Sequence, residues 1–74
     1  MNNGQAPIDR QKLLMRRMRA GLSRRELAKL AQLDQSYIGF LERGDRGPSP
    51  QTLGALARAL GCDITELMPD EVAA

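Results

Sequence analysis

Residues 24–43 hold two short amphipathic stretches, about Arg24 to Ala31 and about Gln35 to Arg43, with only Gln32, Leu33 and Asp34 between them. A link this short forces two helices to cross steeply. Ser23 is a good N-cap for the first stretch, and Glu26 three residues on completes a capping box. Leu27, Ala28, Leu30 and Ala31 supply its expected inner face. Asp34 caps the second stretch, Ile38 and Leu41 share one face, and Gly44 ends it. Ala28 falls at the crossing point, where a bulkier side chain would push the helices apart.

The flanking sequence extends this pattern. A first helix is expected from about Asp9 to Ala20 and stops at Gly21. Its strongest apolar stripe is Ile8, Met15, Met18 and Leu22, with Leu14 beside it, and Leu13 falls on the other side near Arg17. Gly44-Asp45-Arg46-Gly47-Pro48 reads as a loop. Ser49 and Pro50 then form an N-cap and first helical position. Leu53, Leu56, Ala57 and Leu60 follow at helical spacing, and Gly61 closes that helix. Asp63 and Glu66 make a second capping box, opening a fifth helix with Ile64, Leu67 and Met68 that Pro69 ends. The expected organisation is a flexible tail over 1–7, one domain over 8–68 and a tail over 69–74. Five helices leave no room for strands, so the fold class is all-α.

Composition narrows the function. At 74 residues the chain is one small domain, whose thin core a dimer would supplement. A single cysteine, Cys62, excludes an internal disulfide, and with no histidine a zinc site is improbable. Cys62 is read as a small buried apolar residue. No apolar run is long enough to span a membrane, and the first residues lack the pattern of a signal peptide. A soluble cytoplasmic protein is the expectation. No nucleophile with its base and no glycine-rich phosphate loop is present, so no enzyme and no cofactor are expected.

Charge is unevenly distributed. Residues 1–31 carry eight lysines and arginines against two acids, a net +6, whereas residues 32–74 carry three against seven, a net −4. Nine of the eleven basic residues are arginine, whose planar fork suits phosphates and guanine edges. A one-sided basic surface is the footprint of a polyanion binder; the bland alternative is a solvated helix face.

Three segments together resemble the Xre/Cro type of lambda-repressor-like helix-turn-helix domain over about residues 8–68. They are Leu22 to Ala28 (LSRRELA), Gln35 to Gly44 (QSYIGFLERG), and Pro48 to Leu53 (PSPQTL) with Leu56 to Gly61 (LARALG). Apolar positions, caps, the Glu-Arg-Gly end of the third helix and the Ser-Pro start of the fourth match in order. One departure is Gln32, where the family usually has glycine. A left-handed backbone there costs a non-glycine residue about 1 kcal/mol.

The resemblance implies that the third helix enters the major groove of DNA. Gln35, Ser36, Gly39, Phe40 and Arg43 then point outward, and Tyr37 is counted with this surface. Gln35 suits an adenine edge, Ser36 either type of base, Arg43 a guanine or a phosphate, and Phe40 a thymine methyl. Gly39 removes bulk where the helix lies closest to the duplex. Arg24 stands where family members often have a glutamine that contacts phosphate and braces the first residue of the recognition helix. Arg24 is therefore expected on phosphate and against Gln35, with Arg46 and, more weakly, Arg25 as further phosphate contacts. Glu42 matches a family acid that pairs with an arginine of the first helix, most simply Arg17.

The reading is a sequence-specific double-stranded DNA-binding transcriptional regulator acting as a homodimer on a palindromic operator. Ile64, Leu67 and Met68 are its expected dimer contacts. The alternative is a protein-interaction module on the same fold, to which an exposed Phe40 and Leu13 would lend a contact surface.

Overall fold

The structure is a computed structural model and describes residues 5–70. Four α-helices run α1 (Arg10–Arg19), α2 (Arg24–Ala31), α3 (Gln35–Arg43) and α4 (Pro50–Leu60), followed by a 3₁₀ turn over Ile64–Leu67. No strand occurs among the described residues. Each α-helix starts on a side-chain cap: Ser23, Asp34 and Ser49 are the caps expected from sequence, and Asp9, expected as the first residue of its helix, is the N-cap of α1. Asp9 accepts from the amides of Gln11 and Lys12, Ser23 from Glu26, Asp34 from Ser36 and Ser49 from Thr52. The expected fifth helix is only one 3₁₀ turn. Its Asp63/Glu66 capping box is present, but Met68 is already extended ahead of Pro69.

Helix α2 packs on α3 and α4, α1 on α3, and the 3₁₀ turn closes against α1 and α4. The centre is aliphatic: Leu13, Leu27, Ile38, Leu41, Leu53, Leu56 and Leu67 are each at most 1% exposed. Each such side chain contributes roughly 1.5–3 kcal/mol of burial. Ala28 and Ala31 sit among them.

Three expectations about the core are corrected. Leu13 is fully buried, while Met15 and Met18 are 48% and 60% exposed. The reason is Arg17, which shares a face with Leu13 and turns inward to bind Glu42, rotating the methionines out. Leu30 is exposed, because Leu27, Ala28 and Ala31 fill the inner face of α2 and leave it at the margin. Cys62 is half-buried at the edge of the core, not enclosed in it.

The ends are held to the body. Gln5 and Ala6, expected within a flexible tail, lie against the loop after α3, where the Ala6 amide donates to the Pro48 carbonyl at 2.6 Å. Lys12 pairs with Asp70 and donates to the Met68 carbonyl. Residues 1–4 and 71–74, the remainder of the two expected tails, lie outside the described residues.

Candidate nucleic-acid interface

The site is built on the α2–α3 crossing. Gln32 ends α2 at φ 58°, ψ 45°, the left-handed conformation that lets the chain turn sharply. The Leu33 amide donates back to the Ala28 carbonyl at 2.8 Å, and Asp34 then restarts the helix. The turn has the geometry that glycine would favour, and glutamine occupies it. At the far end of α3, Gly44 is left-handed at φ +82°, and Arg10 from α1 donates to the Arg43 carbonyl beside it. A Cβ at Gly44 would meet the Arg10 guanidinium at 2.9 Å, the movable end of an exposed side chain, so it is the left-handed backbone that favours glycine here. Arg10 was not legible as a contributor; a cation at a helix C-terminus is favourable, but its partner lies 33 residues away.

Glu42 organises the surface from beneath. Its side chain is 2% exposed and accepts from Arg17 Nε at 2.6 Å, Arg17 Nη2 at 3.1 Å and Arg24 Nε at 2.9 Å. Arg17 also donates to the Leu22 carbonyl at 2.8 Å, fixing the chain before α2. Burial pushes the Glu42 carboxyl upward, but hydrogen bonds from Arg17 and then Arg24 outweigh it and hold the group below its ordinary value. The expected Arg17–Glu42 pair is present, and Arg24 joins it.

Gln35, Ser36 and Arg43 are exposed along α3, and a shallow depression brings them together with Arg24 and Phe40. Arg24 lies in this depression with Gln35, but its Nε is spent on Glu42. Phe40 is half-buried and in contact with two cations: the Arg43 and Arg46 guanidiniums lie over its ring, 5.2 and 4.9 Å from the ring centre. Arg43 also bonds Asp45 at 3.0 Å. Arg25 is exposed on the first turn of α2.

Two expected site residues differ. Gly39 is buried, not bare: the Arg24 and Arg43 side chains cover the space where its Cβ would be. Tyr37 is half-buried against the core and its hydroxyl donates to the Gly47 carbonyl at 3.3 Å, so it braces the following loop instead of joining the depression. Leu67, expected at a dimer contact, is fully buried inside the monomer, while Ile64 and Met68 are half-buried. Leu13 is likewise enclosed, which removes it as support for a protein-interaction surface.

Among the described residues no group of histidine, cysteine, aspartate and glutamate could hold a metal ion. No helix among the described residues is long and apolar enough to cross a membrane.

Comparison with known proteins agrees with this geometry. The helix-turn-helix family model matches residues 13–67. An uncharacterised HTH-type transcriptional regulator, y4dJ of Sinorhizobium fredii, is 40% identical over 52 residues, spanning 70% of this chain and 68% of that protein. The control protein C.SmaI of Serratia marcescens is 38% identical over 47 residues, 64% of this chain and 56% of that protein. Among solved structures, the restriction-modification controller protein C.AhdI of Aeromonas hydrophila superposes with a TM-score of 0.78 at 42% identity, over 80% of this chain and 89% of that one. The DNA-binding domain of the Bacillus subtilis biofilm regulator SinR gives 0.73 at 28% identity, over 84% and 91%. Fold and family are those of regulators and not of enzymes. The chain belongs to the helix-turn-helix family of DNA-binding transcriptional regulators.

Proposed function

We propose that this protein lays α3 in the major groove of double-stranded DNA, reads sequence there, and regulates transcription from the cytoplasm as a homodimer on a roughly palindromic operator. The observation that carries this reading is the α3 face itself. Gln35, Ser36 and Arg43 converge there with Arg24, on a helix held at both ends by Asp34 and Arg10. Gln35 and Ser36 offer paired or adaptable hydrogen bonds to base edges, and Arg25 and Arg46 flank them for phosphates.

One such head covers a half-site, so two copies with recognition helices about 34 Å apart match one turn of duplex. Ile64 and Met68 are the proposed contacts between copies. They are half-buried beside Pro69, at the less basic end of the sequence, and a second copy would cover what the monomer leaves exposed. Selection of bound sequences from a random duplex pool tests the reading: a two-fold motif is expected, and enrichment of no sequence would overturn it. Sedimentation across a concentration series tests the dimer. A strict monomer that binds single half-sites would overturn that part alone.

A further inference from the structure

The space above Gly39 holds an unusual juxtaposition of charge. A Cβ at that position would lie 3.2 Å from Arg43 Nη1 and 3.7 Å from Arg24 Nη1. Two guanidiniums from different helices therefore sit within 4 Å of one point, in the middle of α3 and beside Gln35 and Ser36. Like charges brought together repel, so something must hold them. Each is tethered from outside through its Nε, Arg24 to Glu42 Oε1 at 2.9 Å and Arg43 to Asp45 Oδ2 at 3.0 Å, and Arg43 also lies over Phe40. With both Nε atoms committed, each arginine keeps the two terminal nitrogens as its remaining donor edge. That edge is a planar fork, pre-oriented at little further entropy cost, and it matches two adjacent acceptors.

We propose that Gly39 floors a specificity notch in which Arg24 and Arg43 each read a guanine through its O6 and N7 acceptors. Each half-site then carries two guanines within about two base steps of 3.4 Å. The proposal rests on α3 entering the major groove, and it moves Arg24 from a phosphate contact to a base reader. Guanine is favoured over phosphate because the notch lies at mid-helix beside the residues aimed at the groove floor, whereas phosphates line the groove walls. Glycine leaves the Arg43 fork undisturbed: a Cβ there would push Arg43 Nη1 aside by a few tenths of an ångström while only touching Arg24.

The test is sequence selection from a random duplex pool with the parent protein and Arg24→Gln, Arg43→Ala and Gly39→Ala, with binding measured over a range of salt. Arg24→Gln keeps a donor for Glu42, so the fold is retained. The parent motif is expected to contain the two guanines. Arg24→Gln should relax one of them and Arg43→Ala the other, each by about tenfold or more in preference. Gly39→Ala should weaken the Arg43-dependent position while melting no lower than the parent, because alanine favours a helix interior over glycine. An Arg24→Gln protein that selects the parental motif and only loses about one unit of salt slope would place Arg24 on phosphate and overturn the proposal. A parent motif without guanine would overturn it and leave groove reading standing, whereas a parent that enriches no sequence would overturn both.

Discussion

Glu42→Gln separates the role of the buried carboxylate from everything else in the domain. The change keeps shape and one acceptor oxygen but removes the charge that two arginines share. Arg17 suffers most: its side chain is 13% exposed and makes two of its three hydrogen bonds to Glu42. Removing one partner of a buried pair typically costs about 3–5 kcal/mol, because the other charge is left unpaired. Arg17 retains the Leu22 carbonyl and Arg24 is 45% exposed, so the lower end, about 3 kcal/mol, is expected. At roughly 0.05–0.15 kcal/mol per residue, a chain of this length holds about 4–11 kcal/mol in all. The melting temperature should therefore fall by about 12–24 °C.

The assay is urea and thermal unfolding followed by helical circular dichroism. The pH dependence adds a second signature. The folded-state Glu42 carboxyl lies below the ordinary value of 4.5, so its contribution is complete above that value and is lost as pH falls through the lower folded-state value. Parent and variant should differ by a constant amount near neutrality and converge only in acid. A paired Arg17→Met, Glu42→Leu replacement should recover most of the loss. A Glu42→Gln protein within about 0.5 kcal/mol of the parent, the range of ordinary surface changes, would refute the claim that this pair holds α1 to α3.

Ala28→Leu overpacks the α2–α3 crossing and is expected to cost about 1–3 kcal/mol; an unchanged melting temperature with intact DNA binding would misplace that crossing. Gln32→Gly removes an exposed side chain from a left-handed position and should be neutral or stabilise by up to about 1 kcal/mol in urea unfolding, the relieved strain outweighing the added freedom of the unfolded chain. Leu67→Ala should destabilise the monomer by about 2–5 kcal/mol at every protein concentration; a loss confined to the dimer would return Leu67 to the interface.

Most of the fold was readable because its boundaries are local. Caps at Ser23, Asp34 and Ser49 and stops at Gly44 and Gly61 act within a few residues, and the limits of α2 and α3 follow from them. Helix α1 was not readable from its apolar stripe. Periodicity assumes that arginine faces water, and here Arg17 faces Glu42. The correcting signal was available in the pair itself: if Arg17 reaches a buried acid, Leu13 on the same face must be inside and Met15 and Met18 outside. The members of the α3 surface were legible from helical phase, but Arg24 bonding Glu42 and Tyr37 turning to Gly47 are contacts between elements. No local pattern encodes them.

Charge makes the same point and gives it a measurable form. Along the sequence the first 31 residues look like one basic surface of eight cations. In space Lys12 meets Asp70, Arg16 meets Glu66, Arg17 meets Glu42 and Arg10 closes the end of α3, so the basic excess of α1 is largely spent inside the molecule. The cations around the reading helix are Arg24, Arg25, Arg43 and Arg46. With two to four of these on phosphates, log affinity should fall against log salt with a slope of about −2 to −4 per bound protomer. All eight basic residues of the first 31 acting on phosphates would instead give about −7. Titration of a fixed operator over a range of salt, normalised by the measured stoichiometry, decides between them. A slope near −7 would mean that the α1 ion pairs open on DNA and that the sequence polarity, not the folded surface, describes the binding face.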